Sequence, residues 1–233
     1  MEIRKMLKAV FLDYTGTIIE EGGADIQEMI MRICRNCDEK SPEKLVGLWW
    51  QMLKEKEEES YGDSYRTEDE IVDLLLEALV QKYHLKENLA DLHTLVQRFW
   101  MYAPAFDDTK EFFSKCSLPI YIISNNGRKY VEEGMRHKGL HPTDIICGDM
   151  VKAYKPRREL FEKALEVSGC APGEAVHIGD SVNSDVKGAM AAGIYPILLD
   201  RKGAVEIEGV TVVHSLPEAL EVLKNKDDFS MKP

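Results

Sequence analysis

The chain has 233 residues, of which 44% are hydrophobic and 30% are charged, a balance typical of a globular protein and not of a disordered one. Its formal net charge is −11, and no long run of Lys and Arg offers the basic surface that a nucleic-acid binder needs. We therefore expect one large domain, or a core with a smaller inserted domain, and no binding to nucleic acid.

Cysteine usage and hydropathy bear on the location of the protein. The five cysteines are odd in number and widely scattered, which argues against a disulfide scaffold and fits a reducing cytosol. The first residues lack an apolar segment followed by a small-residue cleavage site. No stretch approaches the roughly 18 consecutive apolar residues of a membrane helix. We expect a cytoplasmic protein without membrane association, and the sequence leaves the oligomeric state open.

Short apolar runs typical of buried parallel strands recur along the chain. They cover residues 8–13, 120–124, 175–178, 196–199 and 210–213, with 144–147 as a weaker candidate. Helix-period stretches lie between or after them, at residues 129–138, 158–167, 181–192 and 217–223. This alternation predicts an α/β fold with a doubly wound, Rossmann-like parallel sheet.

The segment between the first two strands has a different character, because it contains no convincing strand. Its four helix-period stretches are residues 24–39, 42–59, 67–83 and 87–101. Ser41-Pro42 is typical of a helix start, and Thr67 with Glu70 is typical of a capping box. We predict an all-α cap domain at residues 17–103, inserted into a catalytic core formed by residues 1–16 and 104–233.

Polar residues follow four of the predicted strands at their carboxyl ends, where functional groups gather in open parallel sheets. These segments are Asp13-Tyr14-Thr15-Gly16-Thr17, Ser124-Asn125-Asn126-Gly127, Lys152-Ala153-Tyr154-Lys155-Pro156, and Gly179-Asp180 with Asp185 five residues further on. Residues of these types, brought to one edge of a sheet, suit phosphoryl transfer.

Each of these residues has a physical task in that chemistry. A carboxylate such as Asp13 can attack phosphorus and form an acyl phosphate. Mg²⁺ held by Asp13 and Asp180 would neutralise negative charge, with Lys155 on the opposite side. Ser124 and neighbouring backbone N–H groups can hold phosphate oxygens.

Two further candidates have alternative roles. Asp185 lies one helical turn beyond Asp180 and could orient Lys155 or a metal-bound water. Asn125 could bind substrate or simply form the turn after the strand.

The order of these motifs resembles the haloacid dehalogenase superfamily of hydrolases, in which D-x-D-x-[TV], a Ser or Thr, a Lys and [GD]-D-x(3,4)-D follow one another. The resemblance covers nearly the whole chain and implies a helical cap of the C1 type. It implies that Asp13 is the nucleophile and a Mg²⁺ ligand, with the backbone carbonyl of Thr15 and the carboxylate of Asp180 as further ligands. Asp185 would be a supporting carboxylate of the metal site.

Thr15 departs from the phosphatases of that superfamily, which usually carry a second Asp at this position. That Asp protonates the leaving group and then activates water, whereas a threonine hydroxyl has no acid or base form near neutral pH. Losing such help typically costs about 10²–10⁴ in rate. We therefore expect a Mg²⁺-dependent phosphatase or phosphotransferase that forms an aspartyl phosphate from a small phosphorylated metabolite and favours good leaving groups.

Other relatives within the superfamily keep alternatives open. P-type ATPases have the similar D-K-T-G-T but need membrane spans. Phosphonoacetaldehyde hydrolases also lack the second Asp and use a lysine of the cap to cleave a C–P bond. The 2-haloacid dehalogenases have D-x-Y-G-T and resemble the local Tyr154-Lys155-Pro156, but they do not need the Mg²⁺ site that Asp180 and Asp185 preserve. A catalytically weak sensor of phosphorylated ligands is a further alternative.

Three other features have weaker functional interpretations. Cys34 and Cys37 look like half a zinc site but lack a second ligand pair, so we expect no metal there. His177 lies within a predicted strand and is expected to be a core residue. Residues 60–66 interrupt two helices and could lie over the site as a specificity loop, with Tyr65 or Arg66 reaching the substrate.

Overall fold

The computed structural model of the protein describes residues 6–203 and 207–224. Its strands are β1 (Ala9–Leu12), β2 (Ile120–Ser124), β3 (Asp144–Cys147), β4 (Ala175–Gly179), β5 (Tyr195–Leu199) and β6 (Thr211–Val213). They pair in parallel in the order β3-β2-β1-β4-β5-β6. The predicted α/β fold is confirmed, and no strand end differs from its prediction by more than one residue.

Helices cover the sheet and form the insertion after β1. They are α1 (Ala24–Asn36), α2 (Pro42–Glu59), α3 (Glu68–Tyr83), α4 (Leu89–Tyr102), α5 (Thr109–Lys115), α6 (Arg128–Lys138), α7 (Arg158–Ser168), α8 (Lys187–Ala191) and α9 (Leu216–Lys224). The all-helical insertion, α1 to α4, lies between β1 and β2 as predicted, while its proposed limits at residues 17–103 stay a prediction. None of the helices in residues 6–203 and 207–224 combines enough length with enough apolar character for a bilayer crossing.

The helix predicted at 181–192 has a more complex form. A π-helical turn, Val182–Val186, precedes the short α8. The Ser181 hydroxyl accepts a hydrogen bond from Ser184 N at 3.1 Å, and Ser181 N donates to Asp185 Oδ2 at 3.0 Å. These two bonds close the turn around Ser181 and direct the Asp185 carboxylate back towards the end of β4.

Side-chain caps start the second and third cap helices where the sequence predicts them. Ser41 Oγ accepts a hydrogen bond from Lys44 N at 3.3 Å, with Pro42 as the first helical residue. Thr67 Oγ1 accepts from Glu70 N at 3.3 Å, and the Glu70 carboxylate accepts from Thr67 N at 2.7 Å. The capping box at the start of α3 is therefore confirmed, and both caps satisfy backbone donors that a helix start leaves free.

Two apolar clusters, one on each face of the sheet, explain why the strand sequences are continuously hydrophobic. Val10 and Leu12 of β1 belong to one cluster, which continues into the cap through residues such as Met29 and Leu75. Phe11 belongs to the other cluster, which contains residues of α7 and α8. The cap therefore shares a continuous apolar core with one face of the sheet, and the site lies where the two meet.

Gly134 in α6 makes room for Tyr14, which follows the nucleophile candidate in the chain. Tyr14 is buried, and its hydroxyl donates a hydrogen bond to the carbonyl of Trp100 at 2.9 Å. A Cβ at Gly134 would lie 2.0 Å from Tyr14 Oη and 3.1 Å from the Met101 carbonyl oxygen. The Tyr14 ring therefore packs against backbone that only glycine leaves open.

Gly134→Ala is expected to lower the free energy of unfolding by about 1–3 kcal/mol, because overpacking outweighs the better helix propensity of alanine. Gly47→Ala in α2 is the matched control, since a Cβ there would meet nothing within 4 Å. It should raise the free energy of unfolding by up to about 1 kcal/mol. Urea unfolding of both variants measures the difference, and equal stability would contradict this account of Tyr14.

Candidate active site

The three central strands bring the predicted residues to one edge of the sheet. Asp13 follows β1, Ser124 is the last residue of β2, and Asp180 follows β4. Because β1 lies between β2 and β4, these three strand ends are neighbours. The chain continues from β1 to β2 on one side and reaches β4 on the other, so this edge is the topological switch point where ligands bind in such sheets.

Lys155 joins two of the carboxylates. Its Nζ lies 2.5 Å from Asp13 Oδ1 and 2.7 Å from Asp185 Oδ1, and all three side chains are buried. Burial alone would lower the pKa of Lys155, but the charges of Asp13 and Asp185 outweigh it and raise that pKa. The ammonium therefore stays charged beside Asp13, and its role as a counter-ion of phosphate stays a prediction.

Asp185 is held from three directions. Its Oδ1 accepts from Lys155 and lies 2.9 Å from His177 Nε2, while its Oδ2 accepts from Ser181 N at 3.0 Å. Burial opposes ionisation, but Lys155 and His177 outweigh it and lower the pKa of Asp185. These contacts fit the role of orienting Lys155, and direct metal coordination by Asp185 stays a prediction. His177 is fully buried, as predicted for a core residue, and its ring contacts the Asp185 carboxylate.

Three carboxylates converge as the ligands of a cation would. Asp13, Asp180 and Asp185 each place one oxygen within 4.8 Å of the others. Asp13 Oδ2 is buried and has no hydrogen-bond partner in the described part of the chain. Burial, followed by the charges of Asp13 and Asp185, raises the pKa of Asp180 to about 8. A free buried oxygen and repelling carboxylates fit a hard divalent cation such as Mg²⁺, which takes oxygen ligands.

The turn after β1 brings backbone close to Asp180. Gly16 has a φ of 88°, and a Cβ there would lie 2.4 Å from Asp180 Oδ2. Only glycine therefore permits this approach. Thr15, one residue earlier, lines the same cavity as Asp180, and ligation by its backbone carbonyl stays a prediction. The Thr15 hydroxyl donates to Asn126 Oδ1 at 2.8 Å, so its proton is already engaged.

The loop after β2 ties Ser124 and Asn125 into the site. Ser124 is buried, and its Oγ accepts a hydrogen bond from Asn126 N at 3.1 Å. Asn125 Oδ1 accepts from Lys155 N at 2.8 Å, which fixes the backbone that carries the lysine. Asn125 therefore does more than form a turn, and its predicted contact with substrate stays a prediction.

Two carboxylates from the cap reach the loop after β2, and no pattern in the sequence singles them out. Glu57 Oε2 accepts from Asn125 Nδ2 at 3.1 Å. Glu68 accepts from Asn126 Nδ2 at 2.9 and 3.1 Å and from Gly127 N at 3.2 Å. Burial raises the pKa of both carboxyl groups. Glu57 lies in the charged run 54–59, which looks like an ordinary solvated helix face, and Glu68 looks like a helix-start residue.

A cavity of about 710 Å³ joins the carboxylate cluster to the cap. Its floor consists of the core residues described above. Its cap wall is largely apolar and contains Ile30, Val46, Trp49, Trp50, Leu53, Val72, Val96, Phe99 and Trp100. The space is large enough for a small molecule, and the aromatic side chains favour an apolar group of the ligand next to the carboxylate cluster.

The segment 60–66 does not form part of the cavity wall described above. Ser60 Oγ accepts from Arg66 N at 2.5 Å, and Tyr154 Oη donates to the Arg66 carbonyl at 2.8 Å. The Tyr65 ring packs against Tyr154 with 5.3 Å between centroids. Among the described residues, neither Tyr65 nor Arg66 lines the cavity, so the expectation that they reach the substrate is not supported.

A model of the haloacid dehalogenase-like hydrolase family matches residues 7–193. The chain belongs to this family. The match includes β1 to β4 and the helical insertion, and with them every predicted site residue. The chain is therefore a haloacid dehalogenase-like hydrolase, which agrees with the resemblance of its motifs.

Individual relatives of this hydrolase span more than one reaction. Glyceraldehyde 3-phosphate phosphatase of Methanothermobacter thermautotrophicus is 31% identical over 112 residues, 44% of this chain and 50% of that protein. This chain thus spans about half the length of that relative. Two solved structures share the fold. The putative HAD-hydrolase YfnB of Bacillus subtilis, bound to magnesium, is 19% identical with a TM-score of 0.77, and the match covers 94% of this chain and 100% of that chain. L-2-haloacid dehalogenase from Xanthobacter autotrophicus is 18% identical with a TM-score of 0.76, and the match covers 94% of this chain and 99% of that chain.

Proposed function

We propose that this haloacid dehalogenase-like hydrolase is a Mg²⁺-dependent phosphatase or phosphotransferase that acts on a small phosphorylated metabolite through an aspartyl phosphate at Asp13. The observation that carries the proposal is the environment of the Asp13 carboxylate. One of its oxygens is paired with Lys155, and the other is buried without a partner in the described residues. The carboxylate as a whole belongs to the cluster with Asp180 and Asp185.

The reaction consists of two displacements, with Asp13 as the nucleophile of the first and the leaving group of the second. Asp13 attacks the phosphoryl group and the leaving group departs, and then water or another acceptor displaces the phosphoryl group from Asp13. Lys155 offsets the negative charge of phosphate. The Ser124 hydroxyl, which donates to Asn126 Oδ1 at 3.2 Å, would turn from that oxygen to a phosphoryl oxygen. Mg²⁺, when held by Asp13 and Asp180 with the Thr15 carbonyl and Asp185 as further candidates, supplies the remaining charge neutralisation.

The phosphatase relative and the magnesium-bound structure support this choice of reaction. The archaeal relative is a phosphatase by name, and YfnB binds magnesium with the same fold. The dehalogenase fold alone does not favour C–halogen cleavage, because a shared fold hosts different reactions. The cluster of Asp13, Asp180 and Asp185 instead favours a metal-dependent reaction.

Because residue 15 is a threonine, the enzyme should favour substrates with good leaving groups. Its hydroxyl donates to Asn126 and has no acid form near neutral pH, so residue 15 does not protonate the leaving oxygen. An aryl or acyl phosphate needs little such help. The aromatic cap wall with Trp49, Trp50 and Phe99 would accommodate an aryl group.

At mildly alkaline pH, aryl phosphates with acidic phenols are expected to turn over about 10²–10⁴ times faster than alkyl phosphates, because only the alkoxide requires an acid. Rapid-quench measurements should show a burst of phenol, followed by slow turnover, as the aspartyl phosphate accumulates. The variant Thr15→Asp should hydrolyse alkyl phosphates faster, and the ratio of aryl to alkyl turnover rates should therefore fall.

Equal rates for the two substrate classes without a burst would contradict the role assigned to Thr15. Halide release from a 2-haloacid that persists in EDTA would favour the dehalogenase alternative. Phosphate binding without turnover of any phosphomonoester would favour a sensor.

A further inference from the structure

Glu57 is a cap residue that lines the same cavity as Asp13 and Thr15. It lies in the last turn of α2 and is half-buried. Its Oε2 accepts a hydrogen bond from Asn125 Nδ2 at 3.1 Å, and Asn125 Oδ1 accepts from Lys155 N at 2.8 Å. A single amide side chain thus links Glu57 to the backbone of the active-site lysine.

Glu68, the other cap carboxylate at this loop, is engaged differently. Asn126 Nδ2 donates to both of its oxygens, and Gly127 N donates to Oε2 as well. These bonds attach α3 to the loop after β2 and occupy both oxygens. Within the described part of the chain, Glu57 Oε1 makes no hydrogen bond, so of these two carboxyl groups Glu57 is the one with an oxygen available to a ligand.

The charges around Glu57 come from both core and cap. Burial raises the pKa of Glu57 to about 7, although the hydrogen bond from Asn125 and the charge of Lys155 oppose this. Glu68 and Tyr154 also interact electrostatically with Glu57. The other titratable groups that line the same cavity are Lys54, Glu21, Asp13, Asp180 and Asp185. The group is thus able to exchange a proton near neutral pH, as an acid–base catalyst must.

We propose that Glu57 performs the acid–base work that Thr15 is unable to do. It protonates the leaving-group oxygen and then takes a proton from the water that attacks the phosphorylated Asp13. This inference rests on the proposed function and adds a catalytic residue supplied by the cap. It also means that the catalytic set is complete only when α2 is docked against Asn125.

The proton and the bonds balance over the two steps. In the first, a bond forms between Asp13 and phosphorus, the bond to the leaving oxygen breaks, and that oxygen takes the proton of the Glu57 carboxyl group. In the second, the water oxygen bonds to phosphorus, one water proton passes to the Glu57 carboxylate, and the bond from Asp13 to phosphorus breaks. Both carboxyl groups return to their starting states.

This role makes the preference for good leaving groups depend on pH. Protonated Glu57 serves alkyl phosphates below pH about 7, and its ionised form offers no proton above that value. Aryl phosphates with acidic phenols need no proton on the leaving oxygen, so the first step of their reaction does not depend on protonated Glu57. The ratio of kcat/KM for aryl phosphates to kcat/KM for alkyl phosphates should therefore increase as pH rises through neutrality.

The test compares Glu57→Gln with Glu58→Gln. Glutamine keeps the volume and still accepts from Asn125, while Glu58 is an exposed residue of the same helical turn. Glu57→Gln is expected to lower kcat/KM for alkyl phosphates by about 10²-fold or more. For activated aryl phosphates kcat/KM should stay almost unchanged, because it includes no step after the phenol departs, whereas kcat should fall because Glu57 also activates the water. Glu58→Gln should match the unmodified protein on both substrates.

The pH profile separates a chemical role from a structural one. For alkyl phosphates, kcat/KM of the unmodified protein should fall as pH rises through about 7, and Glu57→Gln should lack this fall. Equal losses of kcat/KM on alkyl and aryl phosphates would indicate a structural role and overturn the proposal, as would unchanged kinetics on both. An unmodified protein that is inactive on all phosphomonoesters, or an Asp13→Asn variant as active as it, would overturn the proposed function and this inference with it.

Discussion

Asp13→Asn is expected to reduce phosphomonoester hydrolysis by about 10⁴-fold or more, because an amide oxygen is a poor nucleophile for phosphorus. The substitution keeps the volume of the side chain, and Lys155 retains its ion pair with Asp185. The protein should therefore still fold. Initial rates with an aryl phosphate measure the loss, and rapid quench should show neither a phenol burst nor a phosphorylated protein.

Asp63→Asn is a matched control for this prediction. Asp63 is exposed in the short 3-10 turn between α2 and α3 and does not line the cavity. Its substitution should leave both the rate and the thermal midpoint close to those of the unmodified protein. Hydrolysis that survives in Asp13→Asn with normal folding would exclude the aspartyl-phosphate mechanism.

Removal of divalent metal with EDTA is expected to abolish hydrolysis, and excess Mg²⁺ should restore it. Without a cation, burial and the neighbouring carboxylates work against ionisation of Asp180. Mg²⁺ should also stabilise the fold itself, by about 2.7 kcal/mol at a concentration of 100 times its Kd. Thermal unfolding with and without Mg²⁺ provides a readout that does not depend on turnover.

Asp180→Asn should weaken this response to Mg²⁺, because the variant loses one of the anionic oxygen ligands. Its thermal midpoint should rise less on addition of Mg²⁺ than that of the unmodified protein, and Asp63→Asn should respond normally. Hydrolysis that resists EDTA, together with a thermal midpoint that Mg²⁺ does not change, would contradict the metal site.

Local patterns in the chain predict the sheet and most of the core site. Each strand is a short apolar run because it is buried on both faces, and this gives a strong pattern. Asp13, Ser124 and Asp180 are recognisable because each directly follows or ends such a run. Since parallel strands place their carboxyl ends at one edge, their proximity follows from the fold class.

The departures from prediction occur where distant contacts decide the outcome. The π-helical turn at Val182–Val186 depends on Asp185 bonding back to Ser181. Residues 60–66 pack on Tyr154 and not over the cavity, because the Arg66 carbonyl and the Tyr65 ring find partners there. Neither arrangement is visible in hydrophobic periodicity.

By itself, the sequence determined the class of the fold, the helical insertion after β1 and the identity of Asp13, Lys155 and Asp180 as candidates for phosphoryl transfer. Only the tertiary structure decided that Lys155 lies between Asp13 and Asp185, and that Glu57 and Glu68 of the cap bond to the loop after β2. The physical reason is that periodicity and turn chemistry act over a few neighbouring residues. The surroundings of a charged cap side chain, by contrast, depend on how helices far away in the chain pack against the sheet.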